Sequence, residues 1–132
     1  MAFTRKLAKK KFRSLFEERQ AKVLDEHNVP YGFETECLEW TDSAVKKYTP
    51  DFILTKKNRE FIYVEMKGHF YQGVRKKMIN VKKCHPYSDI RFVFQDHNKK
   101  INKGSKTTYG EWATKQGFPW ADRQIPLSWT EE

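Results

Sequence analysis

Three residues of the segment YTPDFILTKKNREFIYVEMKG, residues 48–68, could do chemistry together: Asp51, Glu65 and Lys67. Side chains on a strand alternate faces, so Glu65 and Lys67 project from one side while Ile62, Val64 and Met66 project from the other. Magnesium takes oxygen ligands, usually one or two carboxylates with several waters retained, and two carboxylates are on offer. A lysine beside them can orient an attacking water or offset the charge that grows on a phosphorane-like transition state. A Pro-Asp at the mouth of a hairpin followed by Glu-x-Lys on the returning strand is therefore suited to metal-assisted phosphodiester hydrolysis. The same letters also fit a half-buried strand with a solvated outer face, whose exposed Glu–Lys pair is worth only about 0–1 kcal/mol.

The elements that must position these groups can be read in turn. If Asp51 sits opposite Glu65, then Phe52 pairs with Val64 and Leu54 with Ile62, so the register that joins the charges also buries the apolar pairs. That register requires an odd-numbered turn, such as Lys57, Asn58 and Arg59. A fourth residue, an acid, comes from the first helix, SLFEERQAKVLDEHN, where Ser14 and Glu17 fit a capping box and Phe16, Val23 and Leu24 form a core stripe. Glu17 is in helical register with Ala21 and Leu24 and borders the buried face, whereas Glu18 lines up with Lys22 and Asp25 and faces solvent.

The helix is expected to stop near Asn28, before Pro30. YGFETECLEW reads as one strand and TDSAVKKY as a polar connection, with Pro50 opening the next strand. YQGVRKKMINVKKCH reads as a basic amphipathic helix resting on Val74, Met78 and Val81, and DIRFVFQ as a short apolar strand. TYGEWATKQG carries a second capping box, Thr108 with Glu111, and a helix stop at Gly117. The aromatic tail FPWADRQIPLSWTEE is expected to pack. Alternating helices and strands make the class α/β. His27, His69, His85 and His97 show no metal-binding spacing, and only His69 is expected near a substrate. Cys37 and Cys84 read as reduced thiols, with no disulfide framework or zinc site.

At 132 residues the chain makes one domain, and 15% aromatic residues are enough for its core. It lacks the roughly 18 consecutive apolar residues of a membrane span and the apolar run of a secretory signal, so an intracellular protein is expected. Its net charge of +9 is gathered in runs. Arg5, Lys6, Lys9, Lys10, Lys11 and Arg13 precede any acid; Arg75, Lys76 and Lys77, then Lys82 and Lys83, follow, and Lys99, Lys100, Lys103 and Lys106 form the last group. Separated basic runs point to a polyanion, most simply DNA, because each neutralised phosphate releases counterions. Residues 1–13 are expected as a flexible basic arm and residues 14–132 as a single domain.

In order along the chain, FRSLFE, YTPDF, VEMKG, RKKM, HPYSDIRFVF and KGSKTTYGEWATKQGFPWADRQIP resemble the phage endonuclease I family. These are Holliday-junction resolvases of DNA recombination within the PD-(D/E)xK nuclease superfamily. The similarity runs from about Phe12 to Trp129. It implies a restriction-endonuclease-like core, a central mixed β-sheet flanked by α-helices, in an intertwined, domain-swapped homodimer. It implies Mg2+ dependence, with Mn2+ able to substitute, and paired nicking of branched DNA, chiefly four-way junctions, in the cytoplasm of a phage-infected bacterium. By motif, Glu17, Asp51, Glu65 and Lys67 are then the catalytic positions, with Asp51, Glu65 and Glu17 as metal ligands. The family pattern takes Glu17 from one chain and the other three from its partner. Relative to the family the Trp40–Tyr48 connection is shorter and the Asp51–Glu65 hairpin longer. Two rivals remain: a sequence-recognising or nicking endonuclease of the same fold, and a non-catalytic dimer that grips branched DNA.

Overall fold

A computed structural model describes residues 12–41 and 45–132 of the chain. The first helix, α1, is Leu15–Glu26, followed by short strands β1 (Tyr31–Phe33), β2 (Leu38–Thr41) and β3 (Val45–Tyr48). The hairpin strands β4 (Phe52–Thr55) and β5 (Phe61–Lys67) come next, then α2 (Gln72–Cys84), β6 (Asp89–Phe94), α3 (Tyr109–Gln116) and β7 (Trp120–Asp122). A 3-10 turn at Leu127–Glu131 closes the chain.

The hairpin forms in the expected register, Phe52 opposite Val64 and Leu54 opposite Ile62. Lys56 N–H donates to the Glu60 carbonyl at 2.9 Å, leaving Lys57, Asn58 and Arg59 as the three-residue turn, with Arg59 at φ 72°. β1 adds to β4 antiparallel, while β6 and β7 add parallel beyond β5, giving a mixed five-stranded sheet in the order β1-β4-β5-β6-β7. The helices α2 and α3 supply the two crossovers that parallel neighbours need.

Both faces of this sheet are covered. On one, Phe33, Phe52, Leu54, Ile62 and Val64 pack with Ala21 and Leu24 of α1 and with Ile125 of the tail. On the other, Phe70, Phe92 and Phe94 pack with Met78 and Val81 of α2 and with Trp112 of α3. Each such side chain stabilises the fold by about 1.5–3 kcal/mol on burial. The fold is thus α/β, a mixed central sheet flanked by helices.

Two local expectations are corrected. YGFETECLEW is two strands, because Glu34 takes a left-handed φ of 51° and turns the chain from the central sheet into a separate pair, β2 with β3. The connection read as TDSAVKKY therefore contains β3, with Val45, Lys46 and Lys47 exposed and Tyr48 buried. Of the two capping boxes read, Thr108 completes its box with Glu111, whereas Ser14 accepts from Glu17 N–H without the reciprocal bond. At the first helix the Glu17 carboxylate instead reaches Arg13 N–H, one residue before the cap. Gly117 stops α3 at φ 84°.

Candidate active site

The pairings Phe33 with Phe52 and Phe52 with Val64 bring Glu34, Asp51 and Glu65 into the next row across three adjacent strand lines. Glu34 N–H donates to the Asp51 carbonyl at 3.2 Å and extends the ladder to this row. Left-handed backbone at a glutamate costs about 1–3 kcal/mol and tends to occur where function requires it. Asp51 and Glu65 are each only 5% exposed, so they are no solvated outer face. The sheet face that bears Glu65 and Lys67 is the one covered by α2 and α3.

Lys67 Nζ lies 3.0 Å from Glu65 Oε2, and Tyr48 donates its hydroxyl proton to Glu65 Oε1 at 2.9 Å. Met66 N–H donates to Asp51 Oδ2 at 2.9 Å, fixing that carboxylate from the neighbouring strand. Glu17 is buried at the start of α1, where its Oε1 accepts from Arg13 N–H at 3.2 Å. Glu17 is linked to Asp51 within one chain through Arg13, whose N–H donates to Glu17 Oε1 and whose Nη2 lies 3.8 Å from Asp51 Oδ1. Glu18, on the next helical position, is exposed as read.

The electrostatics are unbalanced. Burial, then the charge of Glu65, push the Asp51 carboxyl up to about 8; the Met66 N–H opposes this, Glu17 adds to it, and Lys67 opposes it. Burial pulls the Lys67 ammonium down, but the charge and hydrogen bond of Glu65, helped by Asp51 and Glu17, outweigh it and raise it. Burial and the adjacent Glu65 also raise the Tyr48 hydroxyl. Three buried carboxylates thus face one lysine on the buried side, with only the exposed Arg13 beside them, an oxygen donor set with a deficit of positive charge. That fits a hard divalent cation, which Asp51 and Glu65 would hold with Glu17 beside them.

Tyr48 and Glu34 escaped the sequence reading. Tyr48 heads the motif YTPDF, but with no strand assigned to its segment its direction was not legible. Glu34 would have been visible had β1 been ended at Phe33 and paired with β4. The histidines differ from expectation too: the fold brings His97 between Asp96 and Asp122, with ligand atoms all within 4.8 Å. His97 Nδ1 and its N–H both lie 2.9 Å from Asp122 Oδ1, so these contacts clamp the loop after β6 to β7. His69 is exposed just beyond Lys67, its ring stacked on Tyr71. Cys37 and Cys84 are free thiols.

A family model described as Phage endonuclease I matches residues 1–132. The chain belongs to the phage endonuclease I family. It is 37% identical over 122 residues to "Endonuclease I" of Escherichia phage T7, covering 92% of this chain and 79% of that relative. It is 35% identical over 122 residues to "Endodeoxyribonuclease 1" of Enterobacteria phage T3, covering 92% and 78%. Membership of the endonuclease I family makes the buried carboxylates and Lys67 the candidate machinery of a DNA-cleaving enzyme. Among the described residues, no helix is long and apolar enough to cross a membrane.

The basic runs divide in the fold. Residues 1–11, and with them Arg5, Lys6, Lys9, Lys10 and Lys11, lie outside the described residues. The end of the arm is held rather than loose: Phe12 packs edge-on against Phe33 at 4.5 Å, and Arg13 reaches the acidic row. Arg75 is corrected as a DNA contact. It is 5% exposed, donating to the Phe70 carbonyl, to the Ile101 carbonyl at 3.1 Å and to Asn102 Oδ1 at 3.1 Å, so its charge is turned inward. Lys76, Lys99, Lys100, Lys103 and Lys106 are exposed, while Lys77 lies 5.5 Å over the Tyr48 ring. Lys82 caps the end of α3, donating to the Gly117 carbonyl at 2.7 Å.

Proposed function

We propose that this chain is a structure-selective, Mg2+-dependent DNA endonuclease that resolves four-way junctions and other branched DNA by paired nicks. The observation that carries the reading is the buried cluster of Asp51, Glu65 and Lys67, with Glu17 acting on it from α1. Bound at Asp51 and Glu65, magnesium would lower the pKa of a water and offset charge on the phosphate. Mn2+ is expected to serve in its place. Lys67, held charged by Glu65, is placed to orient the attacking water and to neutralise charge developing on the non-bridging oxygens. Tyr48 donates its hydroxyl proton to Glu65 Oε1, which leaves Oε2 to Lys67 and fixes the carboxylate's orientation. Exposed lysines of the 99–106 loop and of α2 supply phosphate contacts, which position the DNA without reading its sequence.

A homodimer fits paired cutting, since two sites are needed for two strands. Within one chain, α1 and β1 join the rest of the molecule through the β2–β3 pair. An intertwined dimer would exchange α1 and β1 across that pair and rebuild the same contacts around Asp51, with Glu17 donated in trans. The expected setting is the cytoplasm of a phage-infected bacterium.

The test is to incubate the protein with a four-way junction and a matched linear duplex, with Mg2+ and then with EDTA. Paired cuts in the junction, an intact duplex and no product in EDTA support the reading. Cutting of the duplex at particular sequences would overturn junction selectivity in favour of a sequence-recognising endonuclease, and binding without cutting would overturn catalysis.

A further inference from the structure

Arg13 touches three acids that come from three different elements. Its backbone N–H donates to Glu17 Oε1 at 3.2 Å, and its Nη2 lies 3.1 Å from Glu34 Oε2 and 3.8 Å from Asp51 Oδ1. The other Asp51 oxygen, Oδ2, accepts from Met66 N–H, so Oδ1 is the oxygen that faces Arg13. A guanidinium stays protonated and has no lone pair to offer a metal. Arg13 and a divalent cation are therefore alternative partners of Asp51 Oδ1.

The two contacts of Nη2 differ in how firmly they hold. The Asp51 contact is long and the Arg13 side chain is 70% exposed, whereas Glu34 is close, its side chain 13% exposed and its backbone tied to Asp51. Glu34 is the anchor, and Asp51 the partner that Arg13 can give up.

We propose that Arg13 is a partner-switching counter-cation of the site. It lies beside Asp51 Oδ1 in the metal-free site; with a divalent cation held at Asp51 it would remain on Glu34 and turn its freed N–H groups to the phosphate being cut. A planar guanidinium matches two oxygens of a phosphate, and an arm residue fixed at its backbone by Glu17 brings that fork to the reacting centre. The inference rests on the reading of Asp51 as a metal ligand, and it has two consequences of opposite sign. Without Arg13 the metal meets no competitor at Asp51, so it binds more tightly. The phosphate then lacks a donor, so cleavage is slower. A purely structural role would weaken both.

The experiment is calorimetric titration of Mn2+ into the DNA-free protein, alongside single-turnover junction cleavage at saturating Mg2+. For Arg13→Ala the Mn2+ dissociation constant is expected to fall roughly two- to fivefold. The cleavage rate should fall by about 10²-fold, the scale of one lost transition-state donor. Arg13→Lys should return Mn2+ affinity to that of the parent chain but only part of the rate, because lysine keeps the charge and loses the fork. Unchanged or weaker Mn2+ binding by Arg13→Ala, in a variant with the parent's urea midpoint, overturns the proposal, as does full cleavage. Asp51→Asn, titrated in parallel, separates the two readings. If it binds Mn2+ as the parent does, the metal assignment fails and takes the switch with it; if it loses Mn2+ while Arg13→Ala shows no tightening, only the switch fails.

Discussion

The two ends of the β4–β5 hairpin each gather charge, and they do so in opposite ways. Near the turn, Lys56 and Arg91 meet Asp89 and Glu132, two cations against two carboxylates. Lys56 Nζ lies 2.9 Å from Asp89 Oδ2, and Arg91 makes paired contacts of 2.8–2.9 Å with both Asp89 and Glu132 while its guanidinium rests 5.0 Å over Trp129. Burial would raise Asp89, but the hydrogen bonds of Arg91 and Lys56 outweigh it and hold the carboxyl below its usual range. At the other end, Glu17, Glu34, Asp51 and Glu65 outnumber Lys67 and the exposed Arg13, and Asp51 is pushed far up. The balanced cluster uses its charges on one another and pins the tail to the sheet. The unbalanced one stores a demand for positive charge, which marks a functional site more strongly than the number of charges does.

The largest expected difference is in chemistry. Asp51→Ala and Lys67→Ala should each reduce cleavage by at least ~10²–10³-fold while junction affinity, measured by gel shift in Ca2+, stays near that of the parent. With affinity proposed to be spread over many phosphate contacts, a parallel loss of binding would count against this division. The balanced cluster should respond in stability instead. Arg91→Ala leaves two carboxylates to Lys56 alone at a packed strand and is expected to cost roughly 2–4 kcal/mol in urea unfolding, Lys56 and the partial exposure of Glu132 keeping it below a fully buried pair. Cleavage per folded molecule should not change.

A smaller effect, of opposite sign at the two ends, should appear with pH. Asp51 has an ordinary value of 3.8 and about 8 in the fold, so the folded chain holds the extra proton between these values and loses stability as pH rises through that window. Asp89, depressed by its partners, contributes stability above its ordinary value and loses it as pH falls through its folded value. In chelator-treated protein, Asp51→Asn should therefore gain thermal stability over the parent at pH 8 and lose most of that advantage by pH 5. Thermal melts of the two at several pH values would decide, and a constant difference would remove Asp51 as the source.

The hairpin was legible in the sequence because one register satisfies both faces: Phe52 with Val64 and Leu54 with Ile62 cannot be buried together without aligning Asp51 with Glu65. The caps were legible because Ser14 and Thr108 act locally. The break between β1 and β2 was not, since it depends on one backbone angle at Glu34 that no periodicity records. Nor was β3, whose residues Val45, Lys46 and Lys47 are exposed in succession and give no alternation. Arg75 was misread although a signal existed. It stands three residues before Met78, so the helical register that selected Glu17 places Arg75 beside the buried face as well. Charge alone carried it into the wrong group.

That inward arginine changes what the lysine loop is. Arg75 grips Ile101 and Asn102, the Ile101 N–H meets the Thr107 carbonyl at 2.9 Å, and Lys99 and Lys100 are bonded to the stretch that leads into α3. Lys99, Lys100, Lys103 and Lys106 therefore stand at set separations on a stiff frame. A loose polycation conforms to any anionic surface, whereas a stiff one works as a gauge, meeting phosphates only where their spacing agrees with its own.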